Sequence, residues 1–65
     1  MADLGVIILT YNEEIHIERA IDSIMTIARQ VVVVDSYSTD RTVELARARG
    51  AVVFQNKFIN HSKRF

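Results

Sequence analysis

Hydrophobic residues along this chain fall into three short runs of strand length, separated by segments in which apolar residues are spaced as in helices. The runs are Leu4–Leu9, Val31–Asp35 and Ala51–Phe54. The four consecutive valines of the second run show no polar alternation, which is typical of a strand buried on both faces of a parallel sheet. We therefore predict three strands.

Between the strands, apolar residues recur every three or four positions, as on one face of an amphipathic helix. The first predicted helix has Asn12 as its N-cap and extends to about Ala28. The second runs from about Asp40 to Arg49 and stops at Gly50. The order β-α-β-α-β implies parallel strands with right-handed crossovers. The predicted fold is α/β: the βαβαβ half of a doubly wound, mainly parallel sheet.

Composition narrows the classes of protein to consider. Sixty-five residues form at most one small domain, and we interpret residues 1–65 as a single partial domain, the amino-terminal piece of something longer. Residues 55–65 lack a period and are predicted to be a loop that enters a helix near Ser62. Eight basic and eight acidic residues cancel, so net charge gives no case for nucleic-acid binding. No apolar run approaches the ~20 residues of a membrane span. We expect a cytoplasmic protein that lies at the inner face of the membrane in its full-length form.

Polar residues follow the first two predicted strands at the point where each strand ends. In open α/β sheets this edge is where ligands bind. The crevice predicted there offers the Asp35 carboxylate, the Tyr11 ring and two helix N-termini, together with several hydroxyl groups. The hydroxyl residues are Thr10, Ser36, Ser38 and Thr39. This set suits a nucleotide, which needs a surface for base stacking, acceptors for the nucleoside and donors for phosphate.

Each of these residues also has a structural interpretation. Asp35 could satisfy backbone amides in its own turn, and Tyr11 could cover the sheet edge. Ser38, Thr39 and Asp40 are predicted to be helix caps more than ligand contacts.

His16 and His61 are far apart in the sequence and are interpreted as surface residues. The first strand is followed by no glycine-rich loop, which argues against a dehydrogenase or methyltransferase.

Two motifs make the pattern more specific. Residues 6–14, Val-Ile-Ile-Leu-Thr-Tyr-Asn-Glu-Glu, are followed some twenty residues later by residues 32–42, Val-Val-Val-Asp-Ser-Tyr-Ser-Thr-Asp-Arg-Thr. In this order and spacing they resemble the amino-terminal third of a family-2 glycosyltransferase of GT-A fold, and especially the branch that includes lipopolysaccharide-core glucosyltransferases. The resemblance implies an inverting enzyme that transfers sugar from a nucleotide-diphosphate donor to a cell-surface glycan or lipid-linked acceptor.

By that resemblance, the nucleotide-sugar site has contributions from both loops and from the tail. Thr10 and Tyr11 would line the base pocket, and Asn12 and Glu13 would brace the first loop. Asp35 would accept hydrogen bonds from base or ribose. Ser36 occupies the place where many members have a second aspartate that contacts the base, and Lys63 would lie near the donor phosphates.

The sequence also departs from the family pattern. Leu9 stands where many members have proline, and no Asp-x-Asp metal motif or acceptor-side catalytic base occurs in these residues. A divalent metal, Mg or Mn, is expected for the full-length enzyme, with ligands outside this chain, and the chain alone is expected to be inactive. The rival hypothesis is a non-catalytic βαβαβ module that binds partners or self-associates through its uncovered sheet.

Overall fold

A computed structural model describes residues 5–58, which fold as three parallel strands and two helices. The elements are β1 (Gly5–Thr10), α1 (Ile17–Ile24), β2 (Gln30–Asp35), α2 (Thr42–Ala48) and β3 (Val52–Gln55). The predicted α/β class and the βαβαβ order are confirmed. Strand ends differ from the prediction by about one residue, whereas the helices differ by more.

Helix α1 is shorter than predicted at both ends. Asn12 adopts a left-handed backbone with φ of 50° and lies four residues before the observed N-cap, His16. The turn that follows it closes when the Ile17 N–H donates to the Glu13 carbonyl at 2.7 Å. At the other end, the Thr26 hydroxyl donates to the Ser23 carbonyl at 2.7 Å. From there the chain continues as a turn in which the Ala28 N–H donates to the Ile24 carbonyl at 2.9 Å.

Helix α2 begins two residues later than predicted and ends one residue earlier, before the predicted stop at Gly50. Neither Ser38 nor Thr39 caps it, and the Asp40 carboxylate accepts from the Thr42 N–H at 2.9 Å. At the far end Gly50 has φ of +91°. The Gly50 N–H donates to the Arg47 carbonyl and the next N–H to the Ala46 carbonyl, which is a Schellman motif. A residue with no Cβ is favoured at this left-handed position.

The sheet has the order β1-β2-β3, so each crossover moves the chain one strand in the same direction. Both helices therefore lie on one face of the sheet. The core between them is a single cluster around Val31 and Val33 of β2. Its other buried members are Ile17, Ile21, Ala46 and Ala51. Neither described helix is long and apolar enough to cross a membrane.

The opposite face of the sheet has no helix over it among residues 5–58, and we call it the bare face. Strand register places its side chains in two rows, Ile7–Val32–Val52 and Leu9–Val34–Phe54. Ile7, Leu9 and Phe54 are each more than half exposed. The prediction that the valine run is buried on both faces is therefore wrong for Val32 and Val34, which are only partly buried. Helices on one face can cover only alternate residues of a strand.

Candidate functional site

The candidate site lies where β1 and β2 end, at their carboxyl edge. Thr10 and Asp35, the last residues of these strands, are direct partners in the parallel register. The Thr10 hydroxyl donates to the Asp35 carboxylate at 2.6 Å, and the Ser36 N–H donates to the Thr10 carbonyl at 3.0 Å. The predicted meeting of the two loop tips at one edge of the sheet is present in the structure.

Beyond this pair, the loops are joined residue by residue. We call residues 11–16 the first loop and residues 36–41 the second loop. The Asn12 N–H donates to the Ser38 hydroxyl at 2.8 Å, and the Asn12 side-chain oxygen accepts from the Thr39 N–H at 2.8 Å. The Arg41 N–H donates to the Glu14 carboxylate at 3.0 Å. Because main-chain groups of each loop bond to side chains of the other, neither loop holds its shape alone.

The hydrogen bonds between the loops continue to Asp40 and Thr42, at the start of α2. The Thr42 hydroxyl is fully buried and accepts from the Glu13 N–H at 2.7 Å, and it also contacts the Asp40 carboxylate. A second Asp40 oxygen accepts from the Glu14 N–H at 3.2 Å. These acceptors satisfy main-chain donors that precede α1. The first turn of each helix is therefore fixed relative to the other.

Asp35 is the central hydrogen-bond acceptor of the site, and we call it the hub. It has no exposed surface, and one carboxylate oxygen accepts from the Thr10 and Ser38 hydroxyls, each at 2.6 Å. The other oxygen accepts from the Ser38 N–H at 2.7 Å. Burial acts to raise the pKa of the Asp35 carboxyl, but the hydrogen bonds from Ser38, Thr10 and Gln55 outweigh it and hold that pKa below its usual value.

Ser36 is also fully buried. Its hydroxyl accepts from the Phe58 N–H at 3.2 Å, and the Asp35 carbonyl accepts from the Asn56 N–H at 2.9 Å. The segment after β3 therefore packs beside the second loop. The structure gives Asp35 and Ser36 a positioning role, which the sequence offered for Asp35 as the alternative. Their direct contact with a ligand stays a prediction.

The remaining predicted residues divide by exposure. Thr10 is buried and bonds to Asp35, Tyr11 is partly buried, and Asn12 and Glu13 are exposed in the first loop. Lys63, predicted near the donor phosphates, and His61 lie outside the described residues. His16 is exposed, as predicted.

Sequence reasoning missed Tyr37. Its side chain is 57% exposed, although it stands between buried Ser36 and partly buried Ser38. Its φ is +53°, in the left-handed region. The Tyr37 N–H donates to the Gln55 side-chain oxygen at 2.8 Å. A single sequence carries no signal for this conformation, because a tyrosine is an unusual residue in the left-handed region.

A pocket of about 210 Å³ adjoins the first loop, between β1 and α1. Thr10, Glu13 and His16 line it together with apolar side chains of β1 and α1. No three His, Cys, Asp or Glu side chains within residues 5–58 are grouped so that they could hold a metal ion. The expected metal ligands outside this chain stay a prediction.

Comparisons with known proteins agree with this geometry. Residues 5–65 match the family described as Glycosyl transferase family 2. An uncharacterized glycosyltransferase of Rickettsia bellii (strain RML369-C) is 45% identical over 58 residues, which are 89% of this chain and 20% of that protein. One of Rickettsia typhi is 41% identical over 61 residues, or 94% of this chain and 21% of that protein.

A solved structure extends the similarity to the fold. The crystal structure of M. tuberculosis glucosyl-3-phosphoglycerate synthase superposes with a TM-score of 0.73 at 39% identity, over 80% of this chain and 21% of that one. This chain spans about one fifth of the length of the proteins it matches. Its three-stranded parallel sheet and paired loops are a fragment of the GT-A fold, and the chain belongs to glycosyl transferase family 2.

Proposed function

We propose that this chain forms part of the nucleotide-sugar-binding half of an inverting glycosyltransferase. The donor is a nucleotide-diphosphate sugar, and the acceptor is a cell-surface glycan or a lipid-linked molecule, as in the lipopolysaccharide-core branch. The proposed location is the cytoplasm, at the inner face of the membrane for the full-length enzyme. The observation that carries the proposal is that hydrogen bonds join the first and second loops at the carboxyl edge of β1 and β2.

The two hydrogen-bonded loops suit this role because their shape is set before a ligand binds. Donors and acceptors that would otherwise be free to move are held by Asp35, Asn12 and Thr42. A preorganised site loses less conformational entropy on binding than a mobile one. The partly buried Tyr11 ring and the exposed Asn12 and Glu13 side chains then form the surface offered to the nucleoside.

A divalent metal, when bound, neutralises the charge that develops on the leaving diphosphate. The proposal places the ligands of that metal, and the catalytic base, outside this chain. The described residues hold and orient the nucleoside end of the donor. Among them, Asp35 acts by positioning Thr10 and Ser38 at 2.6 Å. We expect the 65-residue chain alone to show no glycosyl transfer.

Titration with uridine diphosphate and Mg²⁺, followed by amide chemical shifts, tests the binding role. We expect shifts at Tyr11, Asn12 and Glu13 that saturate with one binding constant. Glu44→Gln is the matched control, since Glu44 is exposed on α2 and pairs only with Arg41 among the ion pairs of the described residues. Shifts confined to other parts of the chain, or none at millimolar nucleotide, would contradict the proposal.

One observation favours the rival module, and that is the bare face. Its apolar rows contain no charged residue, so a second copy of the chain could cover them. Light scattering of the 65-residue chain, compared with Leu9→Lys on this face and Arg47→Gln on α2, tests self-association. Dimers lost only in Leu9→Lys would support the module. Monomers at all concentrations would exclude self-association through this face.

A further inference from the structure

Tyr37 combines two properties that are unusual for a tyrosine. It is 57% exposed between buried Ser36 and partly buried Ser38, and its φ of +53° is left-handed. For a residue with a Cβ, the left-handed region is strained. Glycine would take the same conformation without that strain.

The neighbours of Tyr37 impose its backbone conformation. Ser36 is held through its N–H by the Thr10 carbonyl at 3.0 Å, and Ser38 through its N–H by Asp35 at 2.7 Å. The Tyr37 N–H itself is held by Gln55 at 2.8 Å. None of these three bonds uses the Tyr37 side chain. The backbone can therefore keep its course with glycine or phenylalanine at this position, and the ring is not what holds the loop.

Packing of the ring does not offset the strain either, because more than half of its surface is in water. A large exposed ring on a fixed backbone loses little conformational freedom when a flat ligand covers it. Tyr11 differs, since this residue is partly buried and already has an interaction within the protein. Of these two tyrosines at the site, Tyr37 keeps the more accessible face.

We infer that Tyr37 is a nucleotide-binding residue whose ring stacks on the nucleobase of the donor. This inference rests on the proposed function, since it assumes that the first and second loops bind a nucleoside diphosphate. Stacking of an aromatic side chain on a base tolerates different bases but not the absence of one. Tyr37 should therefore contribute to binding of a nucleotide and not to binding of pyrophosphate.

The test compares Tyr37→Gly, Tyr37→Phe and Phe54→Thr with the parent chain. Phe54 is a matched control, because it is an aromatic residue with 58% exposure on the bare face. Dissociation constants for uridine diphosphate, adenosine diphosphate and inorganic pyrophosphate are measured by amide chemical shifts. We expect Tyr37→Gly to weaken both nucleotides at least about 5-fold. Pyrophosphate binding should be unchanged in all variants, and Tyr37→Phe and Phe54→Thr should resemble the parent.

The outcomes separate this inference from the function on which it rests. A parent chain that binds neither nucleotide overturns the proposed function and the inference together. A parent that binds nucleotide as tightly as Tyr37→Gly overturns only the inference. Thermal unfolding checks the premise, since the melting temperature of Tyr37→Gly should be equal to or above that of the parent. A decrease of more than about 4 °C would show that the ring stabilises the fold.

Discussion

Replacing Asp35 is the most direct test of the hub at the carboxyl edge. Thr10 and Ser38 donate three hydrogen bonds to its carboxylate, at 2.6, 2.6 and 2.7 Å, and Asp35 is fully buried. Each hydrogen bond to a charged group contributes about 1.5–3 kcal/mol to stability. The three share one group and do not add, so we expect Asp35→Ala to lower the free energy of unfolding by roughly 3–5 kcal/mol. That approaches the whole stability of a domain of this size, which is about 3–10 kcal/mol.

Because Asp35→Ala is expected to unfold much of the chain, Asp35→Asn is the informative variant. The amide keeps the shape and one acceptor oxygen for the Ser38 N–H, and its NH₂ group can donate to the Thr10 or Ser38 hydroxyl. We expect a loss of about 1–3 kcal/mol, measured by urea unfolding followed by far-ultraviolet circular dichroism. The double variant with Thr10→Val should show a coupling energy of at least about 0.5 kcal/mol, since the two residues are in contact.

Glu44→Gln on exposed α2 serves as the control and should change stability by less than about 0.5 kcal/mol. The reasoning would be refuted if Asp35→Asn unfolded at the same urea concentration as the parent while losing nucleotide binding. Asp35 would then be a ligand contact and not the residue that holds the loops.

Three further predictions follow from the same geometry. The pKa of Asp35 is lowered in the folded state, so its contribution is present above the unfolded pKa of about 3.9 and is lost as pH falls through the folded pKa; acid titration of unfolding should bring the parent and Asp35→Asn closer together. Thr42→Val removes the buried acceptor of the Glu13 N–H and should lower unfolding free energy by about 1–3 kcal/mol, with faster amide exchange at Glu13 as a second readout. Gly50→Ala places a Cβ at φ of +91° and should lower the free energy of thermal unfolding by about 1 kcal/mol or more, whereas a melting temperature equal to the parent's would contradict that strain.

Local patterns were enough to predict the elements but not the helix ends. The valine run and the two amphipathic stretches determine strand and helix identity through periodicity, which depends on neighbouring residues only. Asn12 shows why the first helix end was wrong. Asparagine is a good N-cap, but here its side chain accepts from Thr39 in the other loop, and its own backbone is left-handed. A long-range bond decided the conformation of a residue that the local pattern assigned to a helix.

The site residues show the same division. The sequence placed Thr10 and Asp35 at one edge of the sheet, because parallel strands end together, and the motifs identified the family. It assigned Ser38 to helix capping, whereas Ser38 bonds to Asp35 and Asn12 across the loops. Tyr37 was missed because its exposure and its left-handed backbone come from how its neighbours are anchored.

For this protein the order of amino acids by itself determined the βαβαβ order, the shared edge of the loops and the family. These follow from hydrophobic period, strand length and turn residues within short windows. The tertiary structure alone decided which polar groups are buried with hydrogen-bond partners inside the protein and which side chains remain exposed to water. Asp35 and Ser36 became buried and Tyr37 stayed exposed because hydrogen bonds to residues 18 to 25 positions away fixed the second loop.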